Sequence, residues 1–313
     1  MNRARRPRQP TINTPTWTLS DGLKTALPFL VVTAAAAGIG FPGPGRALAD
    51  RAAIEATLAV LVFASALGIE PRTLATTRQH LRRLCIVWIA TTAILPLLAW
   101  AASRLVPPGD LRDGVLTVGV APTEVAILAI TSLVGASVAS AATLLVASTA
   151  TSILLAGPAL NMMTGDGGID TLGVLLDLGL IVGAPLTAGL LIGRHQTGRA
   201  LRPAADPAAI VTVTVLAWLV ASQVQWSSDY VAVVVALVGF IAGGTLLGWI
   251  LARTAAADLT TPIVLSASMR DFAIASGIAT TAFGPSAAGP LGLYGILVLT
   301  WGAIMARTRA SPA

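Results

Sequence analysis

Between Thr261 and Ala282 the chain is apolar enough to cross a bilayer, yet Arg270 and Asp271 stand side by side in its middle, flanked by Met269 and Phe272. A charge at mid-span costs about 2.5–3.5 kcal/mol on insertion scales, so such groups face a protein interior or a water-filled cavity and mark a transport pathway. A second acid, Glu124, sits the same way inside the apolar stretch 115–134. Any fold for this chain must shelter these three charges from lipid.

The remainder of the chain is built for the same solvent. Hydrophobic residues make up 55% of the 313 and charged residues 11%, against about 25% charged in soluble domains. A spanning helix needs about 20 largely apolar residues, because every backbone amide must be satisfied within the segment. Ten segments meet that test: 25–42, 52–70, 84–105, 114–134, 138–163, 170–193, 206–225, 230–252, 260–282 and 286–306. The expected class is an all-α integral membrane protein, with little chain left for a soluble domain.

The excess of base orients the chain; it does not imply a nucleic-acid partner. Of 20 Lys and Arg, 15 fall on one side if the N-terminus is cytoplasmic, including Arg3, Arg5, Arg6, Arg8, Lys24, Arg82, Arg83, Arg194 and Arg253. The four outside are Arg46, Arg51, Arg104 and Arg112, and Arg270 completes the count. The positive-inside rule therefore predicts both termini in the cytoplasm. The basic N-terminus is not read as a secretory signal, since the first apolar run starts too late and is too long. Nineteen arginines against one lysine, with heavy alanine usage, suggest a GC-rich bacterial genome and hence the cytoplasmic (inner) membrane. One cysteine, Cys85, excludes an internal disulfide, and no metal site or cofactor is expected. His80 and His195 lie in arginine-bearing loops, so no histidine within a span supplies an intramembrane base or metal ligand, and an enzyme is not expected.

A shift of about 147 residues lays the first five segments over the last five and brings Glu124 onto Asp271 and Ala126-Ile127 onto Ala273-Ile274. Five spans per half insert in opposite orientations, the inverted-repeat plan of many secondary transporters. The expected organisation is a basic tail over 1–24, a first five-helix repeat over 25–163, a second, inverted one over 164–306, and a tail over 307–313. The fourth and ninth helices are expected to be broken and to cross. In the fourth, Gly119 and Pro122 precede Glu124, and proline removes an amide donor and frees a carbonyl four residues back, near Val118. In the ninth, Pro262 opens the segment, and Ser266, Ser268, Ser276 and Gly277 surround the charged pair with no central proline.

Several motifs carry a resemblance. Leu58 to Pro71, reading LAVLVFASALGIEP, looks like the L-x-x-x-M-F-x-M-G-L segment of the bile acid:sodium symporter family. Ala121-Pro122-Thr123 stands where that family has a Pro-Gly-Gly or Pro-Cys-Thr turn, and 133–137 occupies the place of its Y-L-A-K/R-G-N run. Ala273-Ile274-Ala275 is similar to the A-I-A run of the related arsenite permeases. The resemblance implies a secondary transporter of small organic anions that works by alternating access and is coupled to sodium.

The departures bear on sodium. Coupled members carry Ser-Asn after the fourth-span turn, where an ungapped reading places Ile127 and Leu128 here; in the ninth span their Glu and Gln-Asn fall on Ser266, Arg270 and Asp271. Sodium needs several hard oxygen ligands, and a guanidinium puts a fixed positive charge where the ion would sit. The expectation is that Arg270 stands in for the cation, neutralised by Asp271 and by Glu124, so that transport is proton-coupled or uncoupled. Glu124 with the Thr131 and Ser132 hydroxyls is the alternative sodium site. Ser148, Thr149, Thr151 and Ser152 form a hydroxyl stripe that lines the cavity or bonds backbone. A metalloid efflux permease is the alternative carrier, although Thr123 replaces the family's soft cysteine ligand. A receptor without transport is the alternative of another class.

Overall fold

The computed structural model describes residues 19–49, 52–68, 79–165, 169–224 and 227–309. Most of the basic N-terminal tail, the tail residues 310–313, the polar stretch after Leu58–Gly68, Trp17 and Trp226 lie outside them. The described chain is helical, and its single β-bridge pairs Thr123 with Arg270.

The helices are α1 (Leu19–Gly40), α2 (Pro42–Ala49), α3 (Ala53–Gly68), α4 (Leu81–Ser103), α5 (Asp110–Val120), α6 (Ile127–Leu133) and α7 (Val138–Thr164). There follow α8 (Thr171–Ile192), α9 (Gln196–Ala221), α10 (Tyr230–Ala252), α11 (Ala257–Ser268), α12 (Phe272–Phe283) and α13 (Gly289–Arg309). Among the described residues, α4, α7, α8, α10 and α13 with its lead-in turn are long and apolar enough to cross a membrane, and two bent pairs bring the number to as many as seven. The protein is a multi-pass membrane protein. One bend, of 51°, falls in α9 at Pro207, where the ring removes a ladder amide. In α8 a π-helical turn at Gly179–Gly183 interrupts the α-helical ladder.

Two groups of helices follow from the packing. α3 lies against α8 and α9, and α9 lies against α1. α4, α5, α7 and α10 to α13 form the other group, with α10 and α11 in the closest association within it. The reason is small residues. A Cβ on Gly248 would come to 2.7 Å from the Val264 Cα, and one on Gly244 to 2.5 Å from the Ala267 carbonyl oxygen. Lipid tails are as apolar as leucine, so membrane helices gain little by hydrophobic exclusion and associate where small residues let backbones approach. Gly119 does the same for α5, because its Cβ would meet Ala99 at 2.5 Å and the Pro96 Cα at 2.9 Å.

Polar ends are tied inside the bundle. Arg46 donates from Nε to the Ser222 carbonyl (2.8 Å) and from Nη2 to that of Val224 (3.0 Å), closing the C-terminal end of α9. Arg104 stacks over Trp100 and Arg309 over Trp249 at helix ends, as expected of interfacial tryptophans. Trp88 and Trp301 instead donate to Thr151 Oγ1 and Ser268 Oγ, so their indoles serve the bundle.

Gly248→Leu is expected to push α10 from α11 and destabilise the protein by about 1–3 kcal/mol. Gly239→Ala on the same helix, where a Cβ meets nothing within 4 Å, is expected to leave the melting temperature unchanged. Thermal unfolding of the detergent-solubilised protein reads both.

Candidate transport site

The two charged apolar segments are each interrupted, and the interruptions meet. α5 ends at Val120 and α6 begins at Ile127; α11 ends at Ser268 and α12 begins at Phe272. The extended residues between them hydrogen-bond to each other: the Glu124 amide donates to the Met269 carbonyl (3.0 Å) and the Asp271 amide to the Pro122 carbonyl (2.8 Å). Thr123 and Arg270, which face each other in this bridge, are 147 residues apart.

Each break is then finished from a neighbouring helix. The Thr123 amide donates to Ser148 Oγ (3.0 Å), and Ser152 Oγ donates to the orphan carbonyl of Val120 (2.7 Å). In the other segment the Arg270 amide donates to Tyr294 Oη (3.0 Å). The hydroxyl stripe on α7 thus splits. Ser148 and Ser152 serve the break, while Thr149 bonds its own helix at the Leu145 carbonyl (2.8 Å) and Thr151 at that of Ala147. Tyr294 was not singled out from sequence, though a tyrosine deep in an apolar helix signals an Oη in need of a partner.

The cause of the second break differs from the first. Pro122 lies beyond the end of α5, so it terminates that helix and does not kink it, and the carbonyl of Val120 at that end is taken by Ser152. No proline is needed in the other segment, because Asp271 is a helix N-cap. Its Oδ1 accepts from the amides of Ala273 and Ile274, both at 2.9 Å, satisfying two of the donors a helix start leaves over and placing negative charge at the positive end of α12.

That cap decides what Arg270 meets. The expected closing of Asp271 on its neighbour is replaced by the capping bonds, and the Arg270 guanidinium donates from Nη1 to Thr123 Oγ1 (3.5 Å) and to the Ser266 carbonyl (3.4 Å). Both bonds are long. The Nε has no partner, although the side chain is only 5% exposed. Ser266 O belongs to the last turn of α11, so the guanidinium occupies the negative end of that helix, a position where cations are favoured. Ser266 and Ser268 turn their own hydroxyls to the Ile263 and Val264 carbonyls. Thr131 is buried with Oγ1 unpartnered.

Glu124 is 4% exposed and its Oε2 has no partner. It lines a cavity of about 320 Å³ whose other walls come from α3 (Leu61, Ser65, Gly68), α9 (Ala209, Ile210, Val213), the α6 region with Ser132, and Leu299 of α13. The cavity therefore lies between the two groups of helices. Arg270, Asp271 and Thr123 are behind its wall, and Ser148 and Thr149 also do not line it.

A discontinuous pair of helices crossing beside a cavity, with half-helix ends holding charges, defines a helical membrane transporter. The chain belongs to the Sodium Bile acid symporter family, whose model matches residues 56–232. That stretch includes Glu124 and the α7 hydroxyls and ends before Arg270 and Asp271. No curated protein matches the chain.

Asp271→Ala is expected to remove the cap and cost about 1 kcal/mol, within the usual range of about 0.5–2 kcal/mol for capping residues, whereas Asp271→Asn keeps an accepting oxygen and most of the stability. Ser148→Ala, which orphans the buried Thr123 amide, is expected to cost about 1–3 kcal/mol. Equilibrium unfolding of the three variants in one detergent checks the order.

Proposed function

We propose that the protein is a secondary transporter that moves small organic solutes by alternating access, its two groups of helices shifting against each other about the Glu124 cavity. The observation that carries this reading is the reciprocal bridge at the crossover. The bridged residues Thr123 and Arg270 stand 147 residues apart, the same offset that lays the first five segments of the sequence over the last five. A meeting of equivalent positions at the centre is what two inverted five-helix repeats, ten spans in all, would give. The positive-inside count supports an orientation of that plan with both termini in the cytoplasm, and the arginine-rich, lysine-poor composition supports a bacterial inner membrane.

Arg270 is the internal replacement for a coupling cation. Its support is the placement of the guanidinium at the negative end of α11 beside Thr123, close to where the resemblance would put sodium. Ile127, at the place of the family's serine, is buried and apolar. Glu124, Thr131 and Ser132 supply too few oxygens around one point to argue for the alternative sodium site, and Ser132 is exposed to the cavity while Thr131 is sealed. A carboxylate such as Glu124 is then left to carry a proton, or transport runs uncoupled. The metalloid reading is not favoured, because Thr123 Oγ1 is engaged by Arg270 and Cys85 stands on α4, on a helix that contributes nothing to the cavity.

Uptake by proteoliposomes is expected to persist when choline replaces sodium, and Arg270→Gln to abolish it or make it sodium-dependent. Strict sodium dependence of the unmodified protein overturns this reading. Glu124→Gln and Asp271→Asn separate the two coupling modes: loss of pH-driven uptake in either marks the proton carrier, and unchanged pH-driven uptake in both leaves the carboxylates with structural work alone.

A further inference from the structure

A groove of about 600 Å³ runs between α10 and α13, away from the Glu124 cavity. Its α10 wall is one stripe at helical spacing from Val238 to Trp249, and its α13 wall runs in the same way from Leu297 to Ile304. The walls face outward, with Leu246 62% and Ile304 48% exposed. Their donors are spent within the protein, since Thr245 Oγ1 donates to the Ile241 carbonyl (2.6 Å) and Trp301 Nε1 to Ser268 Oγ (3.1 Å). The space is therefore a hydrocarbon trough. From Val238 to Trp249, at about 1.5 Å per residue, it is about 16 Å long, half of a bilayer core of about 30 Å. That is the depth of a single leaflet.

Both stripes run out into arginine at the same end. Arg253 follows Trp249 by four residues and Arg307 follows Ile304 by three, and both are exposed. The Arg309 guanidinium lies over the Trp249 ring, 4.5 Å from its centroid. Among the described residues no acid pairs with any of the three. Guanidinium forks match phosphate oxygens, and basic pockets between spanning helices are where anionic headgroups bind. The positive-inside count assigns this end to the cytoplasmic leaflet. A second copy of the chain is a poor occupant, because a two-fold axis along the membrane normal would set the same three arginines against each other.

We propose that the α10–α13 groove binds an anionic phospholipid, one acyl chain lying along it from Trp249 toward Val238 and the headgroup phosphate held by Arg253, Arg307 and Arg309. The site stands apart from cargo and coupling, but it touches the crossover through one side chain. Trp301, which the chain covers, donates to Ser268, the last residue of α11 before the bridge.

Native mass spectrometry of the protein released from detergent, after equilibration with equimolar dioleoyl phosphatidylglycerol and dioleoyl phosphatidylcholine, counts the lipids retained. The unmodified protein is expected to hold one phosphatidylglycerol about tenfold more firmly than phosphatidylcholine, and the triple variant Arg253→Gln/Arg307→Gln/Arg309→Gln to lose that preference. Arg104→Gln/Arg112→Gln is the control. Arg83, at the start of α4, reaches the Leu251 carbonyl, so Arg104, at the far end of that helix, lies away from the groove's arginines. This control is expected to keep the preference. Ala242→Phe, which puts bulk into the exposed groove wall, is expected to weaken retention of phosphatidylglycerol, and free glycerol phosphate to leave the bound lipid in place. Equal retention of the two lipids overturns the proposal, as does a preference that survives in the triple variant or falls as far in the control. Retention untouched by Ala242→Phe, displacement by glycerol phosphate, or a dimer in place of the lipid adduct does the same. If the triple variant does not fold, the two-lipid comparison and Ala242→Phe decide.

Discussion

Two backbone hydrogen bonds, from Glu124 to Met269 and from Asp271 to Pro122, allow a pair of helices to stop in the middle of an apolar bundle. An unsatisfied amide or carbonyl costs several kcal/mol where water is absent, which ordinarily confines membrane-spanning backbone to unbroken helices. Here each break supplies the donor and the acceptor that the other lacks. What the bridge leaves over is taken by Ser148, Ser152 and Tyr294 from α7 and α13. The charged side chains follow from this arrangement, because only at a break do helix ends turn their partial charges toward the interior. Asp271 goes to a positive end and Arg270 to a negative one.

Much of this was legible in the sequence. Charges inside apolar runs at Glu124 and at Arg270-Asp271 located both interruptions, and the 147-residue shift aligned the residues that face each other in space. Long apolar runs at 84–105, 138–163, 170–193 and 230–252 became α4, α7, α8 and α10 within a few residues. The first segment extends further toward the N-terminus than its hydropathy indicated, since α1 begins at Leu19. The polar residues of that first turn are compatible with helix, and apolar content alone could not find them.

The finer geometry was hidden for identifiable reasons. Side by side in sequence, Arg270 and Asp271 read as an ion pair. An aspartate preceding Phe-Ala-Ile is equally an N-cap signal, and the two amide bonds it accepts there fix its carboxylate along α12. The division of the α7 hydroxyls into Ser148 and Ser152 facing the break and Thr149 bonding its own helix depends on rotation about the helix axis, which a uniformly apolar surround does not report.

On the proposed reading, in which Arg270 replaces a coupling cation, the membrane potential has less to act on. A diffusible coupling ion crosses the field with its cargo and is released, so each cycle draws about 2.3 kcal/mol per charge from every 100 mV. Arg270 is tethered to the chain between α11 and α12 and returns to its starting position when the cycle closes, so its net displacement is nil. Voltage then bears only on the cargo and on any proton carried by Glu124. Where the cargo is neutral and no proton moves with it, no net charge crosses per turnover, and such a carrier would be electrically silent and governed by concentration gradients alone.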